Sequence, residues 1–148
     1  MNEIRKISFV CLCIAIAKLL IGRLKLSEEH VGTKFMNKHG NVFRIFRNII
    51  SQPSGSSRET IVFIVNFKFA SLSQKANRVV SFIPMLLIAG FPGFVQKIYA
   101  VNEENGYWQG IYEWKSKQHL EAYKKSFVFK MMKKRALPNS IKEKEFYE

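Results

Sequence analysis

Aspartate is absent from this chain of 148 residues: all 11 acidic side chains are glutamates. Every mechanism that needs an Asp is thereby excluded, whether a catalytic dyad, an Asp that orients a histidine or an Asp-rich cation loop. Histidine and cysteine are scarce too. Three histidines (His30, His39, His119) and two cysteines argue against a four-ligand zinc site, and no metal ligands are assigned. Cys11 and Cys13 stand one residue apart, too close for an ordinary disulfide, and no other cysteine exists to pair with them. They read as small buried hydrophobes, and nothing else in the chain supports lipidation of either. There is no Gly-rich phosphate loop and no GxSxG nucleophile turn. Most standard enzyme chemistries are therefore missing.

What the chain does have is positive charge and apolar bulk. Lys and Arg number 24 against the 11 glutamates, a net charge of +13, which favours anionic partners: nucleic acid, acidic lipid or anionic substrates. The hydrophobic fraction of 47% is enough for one domain with a core.

The N-terminus reads MNEIRKISFVCLCIAIAKLLIGRLKL. Arg5 and Lys6 precede an apolar run, and Ile7 to Gly22 falls short of the roughly 20 residues that span a bilayer. Residues 1–26 are predicted to engage a membrane as an anchor or signal, with Ala15-Ile16-Ala17 offering a small-x-small cleavage pattern and hence a secreted alternative. A packed core helix is the third reading. Residues 27–58 read as a basic amphipathic connector. Val42, Phe43, Phe46, Ile49 and Ile50 recur at helical spacing with Arg44 and Arg47 between them, a segment suited to lying on a membrane or packing on the domain. QPSGSS (52–57) is a compositional break, so a domain is expected over 59–148.

Beyond the break the periodicities are plain. TIVFIVNFKFA (60–70) alternates as a strand. A helix follows, capped by Ser71 or Ser73 and bent or shortened by Pro84. VQKIYAV (95–101) and YWQGIYEW (107–114) form a hairpin around the turn at 102–106. Ser116 caps a helix running from Lys117 to Arg135, and IKEKEFY (141–147) alternates as a last strand. The order β-α-β-β-α-β predicts an α+β fold: the ferredoxin-like split arrangement, with a four-stranded antiparallel sheet and two helices on one face. Its other face needs a cover, and a second copy, sheet against sheet, is the expected one.

The segment FPGFVQKIYAVNEENGYWQGIYEWKSKQHLEAYKKS resembles the YdhR-like mono-oxygenase family of the dimeric α+β barrel superfamily. The resemblance rests on Pro92-Gly93, Gln96-Lys97, Gly110-Ile111-Tyr112, Trp114-Lys115-Ser116 and Glu121-Ala122-Tyr123, and it spans roughly 60–148. It implies a homodimer with a pocket between sheet and helices in each protomer. It also implies oxygenation of an aromatic or lipophilic small molecule, with no cofactor required. In such chemistry the protein deprotonates and holds a substrate that itself activates dioxygen, which takes an aromatic pocket and a few polar groups. Asn66, Tyr112 and His119 are the catalytic candidates, Asn66 to bond a substrate oxygen and His119 as the domain's base near neutrality. Tyr99, Trp108, Trp114 and Tyr123 are the candidate substrate-binding rings.

A non-catalytic dimeric module that binds a lipophilic or anionic ligand at a membrane surface is the alternative. The cluster Lys115–Arg135 holds eight basic residues against Glu121 and reads as a solvated face or as attraction to an anionic membrane. Nucleic acid is not an expected partner, because no binding motif supports it. Residues 1–26 are expected to be dispensable for folding. Haem degradation is not expected. The haem-degrading relatives place a histidine on the second helix where this chain has Lys133, and a lysine is protonated at neutral pH.

Overall fold

Ile61, Phe63, Val65 and Phe67 are all buried, while the residues between them are half-exposed. That alternation follows from the two-residue period of a strand, with β-branched and aromatic side chains turned to one face. The computed structural model describes residues 2–51 and 60–147; the break expected at 52–57 lies outside them. In chain order the elements are α1 (Asn2–Leu20), β1 (Leu24–Ser27), β2 (Lys34–Met36), β3 (Val42–Ser51), β4 (Ile61–Lys68), α2 (Gln74–Val80), α3 (Phe82–Ala89), β5 (Phe94–Val101), β6 (Tyr107–Trp114), α4 (Lys117–Lys125), α5 (Phe127–Arg135) and β7 (Lys142–Tyr147).

All the strands join one antiparallel sheet in the order β1-β3-β5-β6-β4-β7, with β2 also paired to β3. Its last four, β5-β6-β4-β7, together with the two helical crossovers, form the expected ferredoxin-like α+β unit. Both crossovers are broken helices rather than continuous ones. Pro84 sits in the first turn of α3, where its ring would clash with the carbonyl four residues back at Val80, the last residue of α2. Ser126 is extended and caps α5, its Oγ accepting from the Phe129 amide at 3.3 Å. Ser73 and Ser116 cap α2 and α4 in the same way.

The helical spacing read at 42–50 is corrected. Those residues form β3, and the sheet among the described residues has seven strands rather than four. A β-bulge between Ile45 and Arg47 explains the misleading pattern. One extra residue switches the inward parity, so the apolar positions on either side of it fall out of step and mimic a period near 3.6.

The N-terminal helix takes the packed reading. Cys11 and Ala15 are buried in the main core, and α1 lies along α3. The crossing is close because of Gly90, where a Cβ would fall 1.8 Å from the Cys11 carbonyl oxygen. Lys18 Nζ donates to the Ala89 carbonyl at 3.4 Å. Among the described residues, no helix is long and apolar enough to cross a membrane. The outward side of α1 nevertheless stays apolar and exposed, with Phe9 at 66% and Leu20 at 83%.

One face of the sheet lies under α2–α5 and carries the aromatic core. The other is covered in part by the chain itself. Phe43 and Ile45 of β3 pack there with Ala100, with Phe35, Ile98 and Tyr107 against them. The apolar surface that called for a second copy is thus smaller than the sequence suggests.

Candidate active site

Two β-bulges aim two cations at the helical side of the sheet. In β5 the register slips between Phe94 and Gln96. Phe94 and then Lys97, Tyr99 and Val101 consequently share the helical face, whereas uninterrupted alternation from Phe94 would have sent Lys97 outward. In β3 the bulge does the same for Arg47, which comes opposite Tyr99. Lys97 ends only 6% exposed and Arg47 is buried beside it.

Lys97 borders a cavity of about 40 Å³ between the sheet and helices α3 and α5. Lys97, Tyr99, Trp108 and Tyr112 line its sheet side, and Val128, Met131 and Met132 its helical side. Lys97 Nζ sits 4.0 Å from the Tyr99 ring centre and 4.3 Å from that of Tyr112. Among the described residues no carboxylate pairs with it. Burial pushes the Lys97 ammonium pKa well below its ordinary value, and the Arg47 charge lowers it further. Arg47 itself is well satisfied. Its guanidinium donates to Ser81 Oγ and to the Arg78 carbonyl, both at 2.8 Å, and lies 3.7 Å from the Phe82 ring centre.

The tyrosines differ from one another. Tyr123 donates to the Tyr112 hydroxyl at 3.3 Å, but the Tyr99 hydroxyl is buried with no partner among the described residues. Burial raises the pKa of all three phenols, so they are neutral hydroxyls at physiological pH. Gly110 makes room for Tyr112, whose ring would stand 2.8 Å from a Cβ at that position. Trp108 Nε1 donates to Gln74 Oε1 at 2.6 Å, which ties the cavity wall to the start of α2.

Of the residues singled out from sequence, Tyr99, Trp108 and Tyr112 come together at the cavity. Trp114 and Tyr123 do not reach it. They stack on one another at 5.0 Å, fully buried in the core beside it. Asn66 is separated from the others by the sheet, because on β4 it alternates with Val65 and Phe67 and so turns to the opposite face. His119 is in the first turn of α4, where Nδ1 hydrogen-bonds Ser116 Oγ at 2.8 Å. Its ring packs on Gly93, whose positive φ and missing Cβ leave the space. Lys97 and Arg47 were not singled out as site residues from sequence, since only strand pairing creates the bulges that turn them inward. Lys133, at the expected haem-ligand position, reaches Glu143 at 3.4 Å and is partly exposed.

A split β-α-β-β-α-β sheet with a small aromatic cavity beneath its helices defines the class: a ferredoxin-like α+β protein with a mono-oxygenase-like fold. The chain belongs to the family described as "Putative mono-oxygenase ydhR", whose model matches residues 62–147. Among solved structures it is similar to an anthrone oxidase-like protein, with a TM-score of 0.53 and 15% identity over 73% of this chain. This chain spans 56% of the length of that protein. A haem-degrading enzyme from Listeria monocytogenes gives a TM-score of 0.54 at 15% identity, over 90% of this chain and 91% of that one. A monooxygenase-like protein from Listeria innocua gives 0.55 at 13% identity, over 90% and 84%. Identities this low speak to fold alone. Comparison with the curated proteins found no match.

Proposed function

We propose that this protein is a cofactor-independent mono-oxygenase acting on a flat aromatic or lipophilic small molecule bound between the sheet and α3 and α5. The observation that carries the reading is Lys97, a buried amine with no carboxylate partner among the described residues, set against the rings of Tyr99 and Tyr112. Burial that lowers the pKa of Lys97 loosens its hold on the proton and moves the amine toward the working pH, where general-base catalysis is strongest.

Lys97 would take the proton from an activated CH₂ or phenolic OH. The substrate anion then forms beside the new Lys97 ammonium, which stabilises it at low dielectric, and the Arg47 charge felt at Lys97 adds to the field. The Tyr99 hydroxyl, lacking a partner, is available to donate to the substrate oxygen. An electron passes from the anion to dioxygen, the two combine as a hydroperoxide, and loss of water leaves a carbonyl. For a CH₂ centre the balance is R–CH₂–R′ + O₂ → R–CO–R′ + H₂O, with the substrate supplying both electrons that reduce the second oxygen atom. A cavity of 40 Å³ must widen to admit such a substrate. Met131 and Met132 line it, and unbranched thioether side chains repack readily.

Oxygen-electrode screening of anthrones and quinols tests the proposal. Stoichiometric oxygen uptake that falls at least tenfold in Lys97→Met supports it. Equal turnover by that variant would overturn the role given to Lys97.

The exposed side of α1 favours a membrane-surface setting for the same protein. Ile7 and Phe127 are exposed and share a groove with Lys125 and Lys130, and an apolar strip rimmed by lysines suits an anionic bilayer. Co-sedimentation with vesicles containing phosphatidylglycerol, and not with phosphatidylcholine alone, is the expected result.

A further inference from the structure

β7 sorts its charges by parity. Glu143 and Glu145 turn to the helical side, where Lys124 reaches both, at 3.4 and 2.8 Å, and Lys133 reaches Glu143 at 3.4 Å. Lys142 and Lys144 must then turn to the open face, and they stand there opposite Asn66 and Ile64 of β4. The turn of the β2–β3 hairpin brings Lys38 to the same place, across a groove of about 480 Å³. Lys38 beside it lowers the pKa of Lys144. Three lysines share this concavity, and among the described residues no carboxylate lines it. Like charges gathered without a counter-ion repel one another and create a positive potential that draws an anion.

The floor of the groove has unmade hydrogen bonds. Gln109, Asn66 and Lys142 lie in register on β6, β4 and β7, forming a polar row across three strands. Gln109 is only 6% exposed. Its Oε1 and the Oδ1 of Asn66 are buried with no partner among the described residues, although both side chains line the groove. Buried polar atoms in native proteins are nearly always paired, so two amide oxygens side by side beneath one concavity call for a donor, from water or a ligand hydroxyl, and mark its floor as polar. Each amide also carries an NH₂ that can donate to a ligand oxygen. Phe43 and Ile64 supply apolar surface in the same groove, and its volume lies within the usual range for small-molecule sites.

From this arrangement we infer that the groove is a second ligand site, on the opposite side of the sheet from the cavity, for a small organic anion. The flat apolar body lies on Phe43 and Ile64. A carboxylate or phosphate head sits among Lys38, Lys142 and Lys144, with Asn66 and Gln109 completing its hydrogen bonds. Nothing in this inference depends on the oxygenase chemistry.

The test uses the full chain labelled with ¹⁵N and follows the side-chain amide signals of Asn66 and Gln109. Three probes are titrated: 2-naphthoate, 2-naphthyl phosphate and the neutral 2-naphthylmethanol. Saturable shifts of both amides are expected with at least one anion, which identifies the preferred head group. Binding of the neutral alcohol is expected to be at least tenfold weaker. The exposed double variant Lys142→Gln/Lys144→Gln should lose at least tenfold in anion affinity. The control Lys75→Gln/Lys134→Gln, with the same net charge but altered elsewhere, should bind as the parent does. Sedimentation velocity is run on the same samples. Equal affinity for acid and alcohol, equal loss in both double variants, shifts confined to other residues, or a dimer that buries the groove and binds no probe would each overturn the inference.

Discussion

Lys97 Nζ faces the ring of Tyr99 at 4.0 Å from its centre, and the hydroxyl of that same tyrosine is left without a partner. A buried amine and an open phenol two residues apart on one strand are costly features for stability. Such costs concentrate at sites whose purpose is chemical.

Lys97→Met should stabilise the fold at neutral pH, by on the order of 1–4 kcal/mol, since replacing a buried ionisable group with an apolar one of similar volume often does so. The sign of the pH dependence is fixed by linkage. With the folded pKa depressed, the unfolded state holds one more proton between the folded and the unfolded pKa. The parent therefore gains stability as pH rises through that window, up to about 10.4. The advantage of the variant should shrink accordingly between neutral pH and about 10. Chemical denaturation at several pH values measures it, and an advantage that does not change with pH would contradict the depressed pKa.

Tyr99→Phe removes a hydroxyl that makes no hydrogen bond, so stability should change by less than about 0.5 kcal/mol or improve slightly. Tyr112→Phe breaks the bond with Tyr123 and should cost about 1 kcal/mol. If Tyr99 donates to substrate, its variant loses oxygenation while keeping its thermal midpoint. That combination separates chemistry from packing.

Gly90→Ala places a methyl group against the Cys11 carbonyl. The methyl meets backbone rather than a flexible side chain, so α1 must move away, and a loss of about 1–3 kcal/mol is expected. Deleting residues 1–26 should expose the α3 surface that Cys11 and Ala15 cover, giving an insoluble or destabilised product. That outcome reverses the dispensability expected from sequence. A soluble, cooperatively melting truncation would show that α1 is an accessory.

Haem is expected not to bind in the cavity. The 40 Å³ cavity would have to widen far more for a haem macrocycle than for a small flat aromatic. His119 is engaged by Ser116 and packed on Gly93, and Lys133 is paired with Glu143. Titration followed by absorbance should show no stoichiometric Soret shift, and a sharp one would refute this expectation.

Local pattern alone determined the unit from residue 60 onward. A two-residue period in β4, β6 and β7, serine caps at Ser73 and Ser116, and the turn at 102–106 are written within a few neighbouring residues, so they survive any tertiary setting. The aromatic face of β6 was legible for the same reason, and with it Trp108 and Tyr112 as cavity residues. Residues 24–51 were not legible, because β3 is a strand whose alternation is broken by a bulge. A bulge is a relation between two strands, and one strand's sequence does not contain it. The same physics hid Lys97, which a second bulge turns inward, and Arg47 behind the first. Tertiary structure alone also decided that Asn66 and Tyr112 face opposite sides of the sheet. That follows from the antiparallel register between β4 and β6, which sets side chains in pairs across strands and so assigns each to the cavity or to the groove.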